Sequence, residues 1–175
     1  MTARVVLQHA DIARALTRIS HEILESNRGS SDLVVLGIPT RGVVLARRIG
    51  AILDSIEPGA GTVGSIDVTM YRDDLSRNPT RAPGPTSIPA GGVDGKTVVL
   101  VDDVLYSGRT IRAALDALSD IGRPRAVRLA VLVDRGHREL PIRADFVGKN
   151  LPTAADERIN VRLTETDGSE EVTIL

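Results

Sequence analysis

The sequence predicts an α/β fold in which helices flank a mainly parallel central sheet. Three short apolar runs, at residues 33–38, 96–101 and 126–133, are typical of buried strands. Segments with helical periodicity lie between them, and strands that alternate with helices indicate a parallel sheet. Ligands of such sheets bind beyond the carboxyl ends of the strands. We therefore expect the functional site at the polar turns 39–42 and 102–110, which follow the first two runs.

The helices and loops follow from the same patterns. Residues 10–28 predict an amphipathic helix, and further helices are expected at 43–56 and from the turn at 105–110 to about residue 120. Residues 63–71 predict another strand. Residues 72–95 are rich in Pro, Gly, Asp and Arg, and they predict a long exposed loop of the kind that often forms a lid. The apolar stripe of the first helix consists of Ile12, Leu16, Ile19 and Ile23.

Composition narrows the class of protein. A chain of 175 residues with 42% hydrophobic and 26% charged residues is typical of one globular domain. The absence of Cys, of a signal peptide and of any apolar run of about 20 residues predicts a cytoplasmic protein without a membrane span. A net charge of −1 argues against a generally basic nucleic-acid binder. Charge is nevertheless uneven: residues 123–149 hold seven basic and three acidic groups, and residues 150–175 hold two and six.

Residues 98–110 carry the most informative pattern. Four apolar residues precede two adjacent carboxylates, Asp102 and Asp103, and a Ser-Gly-Arg-Thr turn then leads into a helix. Gly108 lets the backbone approach a ligand closely, and free amides at the helix start suit a phosphate. The carboxylates are placed for sugar hydroxyls or for a hydrated Mg²⁺. The alternative is a strand, a polar turn and a helix cap that bind nothing.

Two other glycine-containing segments invite comparison with phosphate loops. Residues 91–97 resemble a Walker A loop, but Ala90 stands where that motif needs Gly, and a strand follows the segment instead of preceding it. We interpret it as a surface turn. Residues 37–42 follow a strand and open a helix, which by itself indicates only an ordinary strand-to-helix turn.

The segment 98–110 resembles the diphosphoribosyl-binding signature of the type I phosphoribosyltransferases. That pattern has four apolar residues, two acidic, two apolar, one variable, then small-Gly-variable-Thr, and every element is present. The resemblance implies the type I phosphoribosyltransferase fold, with a small hood, a flexible loop at about 72–95 and one domain over 1–175. It also implies that 5-phosphoribosyl-1-diphosphate (PRPP) or a nucleotide is bound by Val104, Leu105, Tyr106, Ser107, Gly108, Arg109 and Thr110, together with Thr40, Arg41 and Gly42 of a pyrophosphate loop. Pro39 departs from related loops.

Longer stretches are similar to the bacterial pyrimidine operon regulators of the PyrR family. They cover residues 15–22, 71–76, 101–110 and 131–150, and the similarity weakens after Pro152. The family combines uracil phosphoribosyltransfer with binding of pyrimidine-operon messenger RNA in response to uridine nucleotides. Purine transferases of type I place an Asp at the position of Tyr106, so its absence here argues against a purine substrate.

The resemblance assigns roles for the reaction of uracil and PRPP to UMP and diphosphate. Mg²⁺ is the implied cofactor, held by Asp102 and Asp103 through water. The implied catalytic residues are Asp102, Asp103, Arg41 and Arg72, although Arg72 reads equally well as a solvated loop residue. Uracil is expected at Val133, Asp134 and Arg135.

RNA binding is implied by the family resemblance alone. From the residues themselves, Thr17, Arg18 and His21 form an ordinary solvated helix face. The family places the RNA on a basic surface of a homodimer or higher oligomer, and leaves the role of His137 open. Alternatives are a uracil transferase without an RNA role, a regulator with little catalysis, and a transferase for another base. The implied RNA contacts are Thr17, Arg18, His21, Arg138, Arg143 and Lys149.

Overall fold

The computed structural model describes residues 2–73 and 86–175, and their strands form two sheets. The strands are β1 (Arg4–Gln8), β2 (Leu33–Gly37), β3 (Val63–Ser65), β4 (Thr97–Leu105), β5 (Ala126–Asp134), β6 (Phe146–Asn150), β7 (Ile159–Arg162) and β8 (Glu171–Ile174). The helices are α1 (His9–Asn27), α2 (Arg41–Ile56), α3 (Arg109–Ile121) and the short α4 (Thr164–Asp167), with a 3₁₀ turn at Thr69–Tyr71.

The main sheet has the strand order β3-β2-β4-β5-β6, and every pairing in it is parallel. This confirms the predicted α/β class. The nine-residue β4 lies at the centre; it pairs with β5 along its length and with β2 over residues 97–101. Because all strands run the same way, the carboxyl ends of β2, β4 and β5 meet at one edge. That edge carries both turns singled out from the sequence.

The central strands are unbroken apolar runs in the sequence because both of their faces are buried. Successive side chains of a strand point to opposite faces, and here both faces are covered. Val99 and Val101 of β4 pack with α1 and α2, whereas Val98 and Leu100 pack with α3. The predicted stripe of α1 is confirmed, since its four isoleucine and leucine side chains are at most 3% exposed.

Two expectations about elements are wrong. The strand predicted over 63–71 ends at Ser65, and the chain continues to the 3₁₀ turn. The reason is that Ile66 and Val68 both pack into the core on the side of the main sheet that α3 covers. Strand β4 runs four residues past 101, so Asp102 and Asp103 lie within it. The exposed loop expected over 72–95 falls partly on residues 74–85, outside the described residues. Of residues 86–95, six are exposed, although Ser87 exchanges two backbone hydrogen bonds of 2.9 Å with Ser65 and Val93 is 2% exposed.

The second sheet is small and antiparallel, with the order β1-β8-β7. It joins the two ends of the chain and forms the hood implied by the family resemblance. Strands β1, β6, β7 and β8 were not predicted, since they have only four or five residues and, unlike the equally short β2, contain polar or charged residues that interrupt an apolar run. Within residues 2–73 and 86–175, no helix is long and apolar enough to cross a membrane.

An ion-pair cluster attaches the hood to α2. Arg48 donates from Nε to Glu165 Oε2 at 2.8 Å and from Nη1 to Glu170 Oε2 at 2.8 Å. The Glu170 side chain is only 5% exposed. The hydrogen bonds from Arg48 lower the pKa of Glu170 from 4.5 to about 2, although burial opposes the shift. The charged form of Glu170 therefore stabilises the junction of α2 with the hood.

We predict that Glu170→Gln lowers the free energy of unfolding at neutral pH by about 1.5–3 kcal/mol, the range for hydrogen bonds to charged groups. A depressed pKa stabilises the fold above the unfolded-state value of 4.5, and this contribution fades as the pH falls towards 2. Urea unfolding at about pH 7 and about pH 3 should show the gap between variant and parent shrinking at the lower pH.

Glu22→Gln is the matched control, because Glu22 pairs with Arg18 on the surface and its side chain is 43% exposed. Its cost should stay below about 1 kcal/mol. A Glu170→Gln variant as stable as the parent at pH 7 would contradict the role given to this cluster.

Candidate active site

A cavity of about 270 Å³ opens at the carboxyl edge of the main sheet. It unites three pieces that the sequence analysis singled out separately: the turn after β2, the carboxylates of β4 and Arg72. Thr110 at the start of α3 closes one side. The lining residues are Ile38, Pro39, Thr40, Arg41, Asp67, Val68, Thr69, Arg72, Asp102, Asp103, Val104 and Thr110.

The turn after β2 lies directly against β4. Ile38 N donates to the Val101 carbonyl oxygen at 2.9 Å, and the Pro39–Thr40 peptide is cis. A Cβ at Gly42 would overlap the Val101 carbonyl oxygen, and one at Gly37 would overlap Gly42 itself. Both glycines are therefore needed for the turn to reach the cavity wall.

The two carboxylates of β4 differ in environment. Asp102 is 8% exposed, whereas Asp103 is half-buried and faces the cavity. Burial, followed by the neighbouring charge of Asp103, raises the pKa of Asp102 well above its usual range. Local backbone amides cap the pair: Asp103 N donates to Asp102 Oδ1 at 2.9 Å, and Val104 N donates to Asp103 Oδ1 at 2.8 Å. A cation or hydroxyl donors in the cavity would favour the doubly charged form.

Arg41 has a protein partner that was not expected. Its Nη2 donates to Asp167 Oδ1 at 2.7 Å and its Nε to Asp167 Oδ2 at 3.2 Å. Asp167 also accepts the Leu163 amide at 2.9 Å. These bonds, led by the one from Arg41, lower the pKa of Asp167, and they raise the pKa of Arg41. A guanidinium has five N–H donors, so Arg41 keeps donors for an anion in the cavity.

The predicted phosphate loop surrounds the start of α3. Gly108 has a φ of +94°, and a side chain there would also press on Ile142 at 3.1 Å. Arg109 N donates to Ser107 Oγ at 3.3 Å, a hydrogen bond within the loop. The Leu105 side chain is buried, so it can offer a ligand only its backbone. The Arg109 guanidinium pairs with Asp73 at 2.5 Å.

Two of the three predicted uracil residues line a second cavity, of about 390 Å³, at the end of β5. Asp134 and Arg135 are in its wall, but the Val133 side chain is fully buried and can contribute only backbone atoms. Arg135 is 7% exposed and lies 4.2 Å over the Tyr106 ring, a cation–π contact. Its Nη2 donates to Ala154 O at 3.1 Å, while its Nε has no hydrogen-bond partner among the described residues.

Comparison with known proteins agrees with this geometry. The phosphoribosyl transferase domain family matches residues 4–163. A protein of Leifsonia xyli subsp. xyli named bifunctional protein PyrR is 76% identical over 99% of this chain and 97% of its own. Another of that name, from Streptomyces coelicolor, is 66% identical over 97% and 88%. The chain belongs to the PyrR family of phosphoribosyltransferases.

Solved structures support the fold independently. A hypoxanthine phosphoribosyltransferase from Trypanosoma cruzi superposes with a TM-score of 0.73 at 15% identity, covering 98% of this chain and 94% of that one. A hypoxanthine phosphoribosyltransferase from Staphylococcus aureus gives 0.68 at 18% identity, over 97% and 90%. At this identity the likeness establishes the fold class predicted from the sequence and nothing about the base.

The residues implied in RNA binding fall in two places. Thr17, Arg18 and Lys149 line an open groove of about 670 Å³ between α1 and β6, and His21 is exposed one turn further along α1. Arg143 is exposed on the turn that precedes β6. Arg138 does not line the groove but the cavity at the end of β5, as does His137, whose Nε2 lies 2.5 Å from Thr153 O. The six residues therefore do not form one continuous wall.

The sequence analysis missed two residues that line the cavity, and also Asp167, the partner of Arg41. Asp67 and Thr69 lie where β3 ends at the same edge, and Thr69 Oγ1 donates to Asp67 Oδ1 at 2.9 Å. If the strand predicted over 63–71 had been given an earlier end, both residues would have been expected at this edge of the sheet. Asp167 carried no usable signal, since it lies 126 residues from Arg41.

The acidic residues define what kind of metal site can form. In the described part of the chain, no three or more His, Cys, Asp or Glu side chains converge to hold a metal ion. Asp102 and Asp103 alone suit Mg²⁺, which keeps several waters and takes phosphate oxygens as ligands. The residues thus fit an ion that enters with a diphosphate, and do not form a cage of their own.

We predict that Gly42→Ala lowers the free energy of unfolding by about 1–3 kcal/mol, as overpacking typically does, because its Cβ would meet the backbone of β4. Gly91→Ala is the control: its Cβ would meet only the movable end of Lys96. Chemical unfolding should leave Gly91→Ala within about 0.5 kcal/mol of the parent. Equal stability of both variants would show that the turn is not held against β4.

Proposed function

We propose that this protein transfers the phosphoribosyl group of PRPP to uracil, giving UMP and diphosphate, and binds pyrimidine-operon leader RNA in response to uridine nucleotides. The observation that carries the first half is the meeting of turn 39–42, the Asp102–Asp103 pair and the phosphate loop at one sheet edge. Residues 1–175 would act as one domain in the cytoplasm, as a homodimer or higher oligomer, and would attenuate expression of the biosynthetic genes.

The chemistry asks mainly for positioning and charge stabilisation, because the transition state resembles an oxocarbenium ion leaving diphosphate. Asp103, the more accessible carboxylate, would accept hydrogen bonds from the ribose hydroxyls. Asp102, which is more deeply buried, would help to position Asp103. The backbone of turn 39–42 and the spare donors of Arg41 would hold the diphosphate, and Arg72 would cover it from the cavity wall. Mg²⁺, when bound with PRPP, supplies neutralisation of the diphosphate charge.

The opposite end of the site favours a small base. Tyr106 stands where purine transferases of this type place an Asp, and its ring is covered by Arg135. The cavity at the end of β5 offers the Asp134 carboxylate and the Arg135 guanidinium. Uracil presents both N–H donors and carbonyl acceptors, so this mixed wall can pair with both. UMP and UTP would occupy the same site as regulatory ligands.

We predict that Asp103→Asn lowers kcat for UMP formation by about 10²- to 10³-fold, the usual effect of removing one preorganised electrostatic contact. The rate is measured as the release of diphosphate from PRPP, with uracil, hypoxanthine or adenine as the acceptor base. Asp116→Asn, on the exposed face of α3, is the control and should keep parental activity. Parental activity in Asp103→Asn, or a purine preference in the parent, would refute the assignment.

For the RNA half, we predict that Lys149→Ala weakens binding of the leader RNA in the presence of UMP and reduces the slope of log K against log[salt] by about 1. The control, Lys96→Ala, removes the same charge from a residue that is far from Lys149 in the sequence and donates to Gly91 O. It should change neither the RNA affinity nor the salt dependence. A parent that does not bind the RNA more tightly with UMP would leave a uracil transferase without an RNA role.

A further inference from the structure

The segment after β5 folds back onto the phosphate loop. Glu139 N and Leu140 N both donate to the Ser107 carbonyl oxygen, at 2.9 and 3.1 Å. The next residues continue this packing, since Ile142 is the side chain that a Cβ on Gly108 would meet at 3.1 Å. We refer to residues 138–142 as the clasp turn. Its backbone is thus bonded to the loop that would hold the 5′-phosphate.

Arg138 joins the clasp turn to both ends of the nucleotide site. Its Nη1 donates to Tyr106 O at 2.9 Å, its Nη2 to Asp134 Oδ2 at 2.6 Å and its Nε to Ile142 O at 2.8 Å. The Arg138 and Asp134 side chains are only 22% and 16% exposed. One guanidinium therefore bridges the phosphate loop, the carboxylate at the base end and the turn that leads to Arg143.

We propose that Arg138 is a positioning residue that couples occupancy of the nucleotide site to the order of the clasp turn, and so to the presentation of Arg143. The inference rests on the proposed function, which places UMP in this site. Arg143 is exposed and makes no hydrogen bond or ion pair with residues 2–73 or 86–175. In contrast, the donors of Arg138 are directed at internal acceptors. Arg138 would then influence RNA binding without contacting RNA.

The physical basis is shared ordering. A nucleotide with its phosphate on residues 106–110 and its base near Asp134 restricts both segments that Arg138 links. The clasp turn loses freedom at the same time, so an RNA that must fix Arg143 meets a smaller entropy cost. The coupling is reciprocal, and RNA would raise the affinity for UMP by the same factor.

Hydrogen exchange of the backbone amides in the clasp turn tests the inference without RNA. Saturating UMP should slow exchange of the Glu139 and Leu140 amides several-fold in the parent, and have little effect on them in Arg138→Lys. Lysine keeps the charge but cannot direct three bonds in a fixed plane. Arg143→Lys is the matched control and should keep the protection. Unchanged exchange in the parent with UMP bound, or full protection in Arg138→Lys, would overturn the inference.

RNA titrations separate the inference from the proposed function. UMP should strengthen RNA binding by about 5- to 150-fold in the parent, the range typical of coupled sites. Arg138→Lys should bind RNA as the parent does without UMP, and gain little when UMP is added. Equal weakening with and without UMP would mean direct contact and refute the inference. Failure of the parent to bind UMP, measured by calorimetry, would refute the proposed function itself.

Discussion

Strand β4 is hydrogen-bonded to a parallel neighbour on each side, and its register with β5 continues through Asp102 to Leu105. The two carboxylates therefore follow directly on the part of β4 that is paired on both sides, and the pairing with β5 continues beside them. The turn after β2 adjusts to them: Ile38 bonds to Val101, and Gly42 removes the side chain that would keep the turn away. The cavity exists because this close approach is sterically allowed.

The structure explains the uneven distribution of charge along the chain. The acidic C-terminal stretch noted in the sequence supplies Glu165, Asp167 and Glu170 to the arginines of α2. Arg48 is used to fasten the hood, whereas Arg41 is shared between Asp167 and the cavity. One acidic segment thus secures a structural junction and moderates the positive charge that a diphosphate would meet.

At the other end of the site, the residues proposed to contact a base and the exposed Arg143 lie on one stretch of chain. Residues 134–143 pass from the end of β5 through the Arg138 bridge to an exposed arginine. The phosphate loop is bonded to the middle of that stretch. A nucleotide is the only ligand of the proposed reaction that would touch both ends at once, which is the physical requirement for sensing product rather than substrate.

The sequence by itself determined the elements and site residues whose signals are local. Each of these signals lies within a short stretch of sequence, where periodicity and spacing indicate burial directly. They are the apolar stripe of α1, the buried runs of β2, β4 and β5, and the pattern at 98–110. Four short strands and the limits of β3 and β4 were beyond this signal. Only the tertiary structure decided that Asp167 pairs with Arg41 across 126 residues, that Val133 is buried, and that Arg138 faces inward. Such contacts depend on where distant segments pack, and no local pattern of residue types records that.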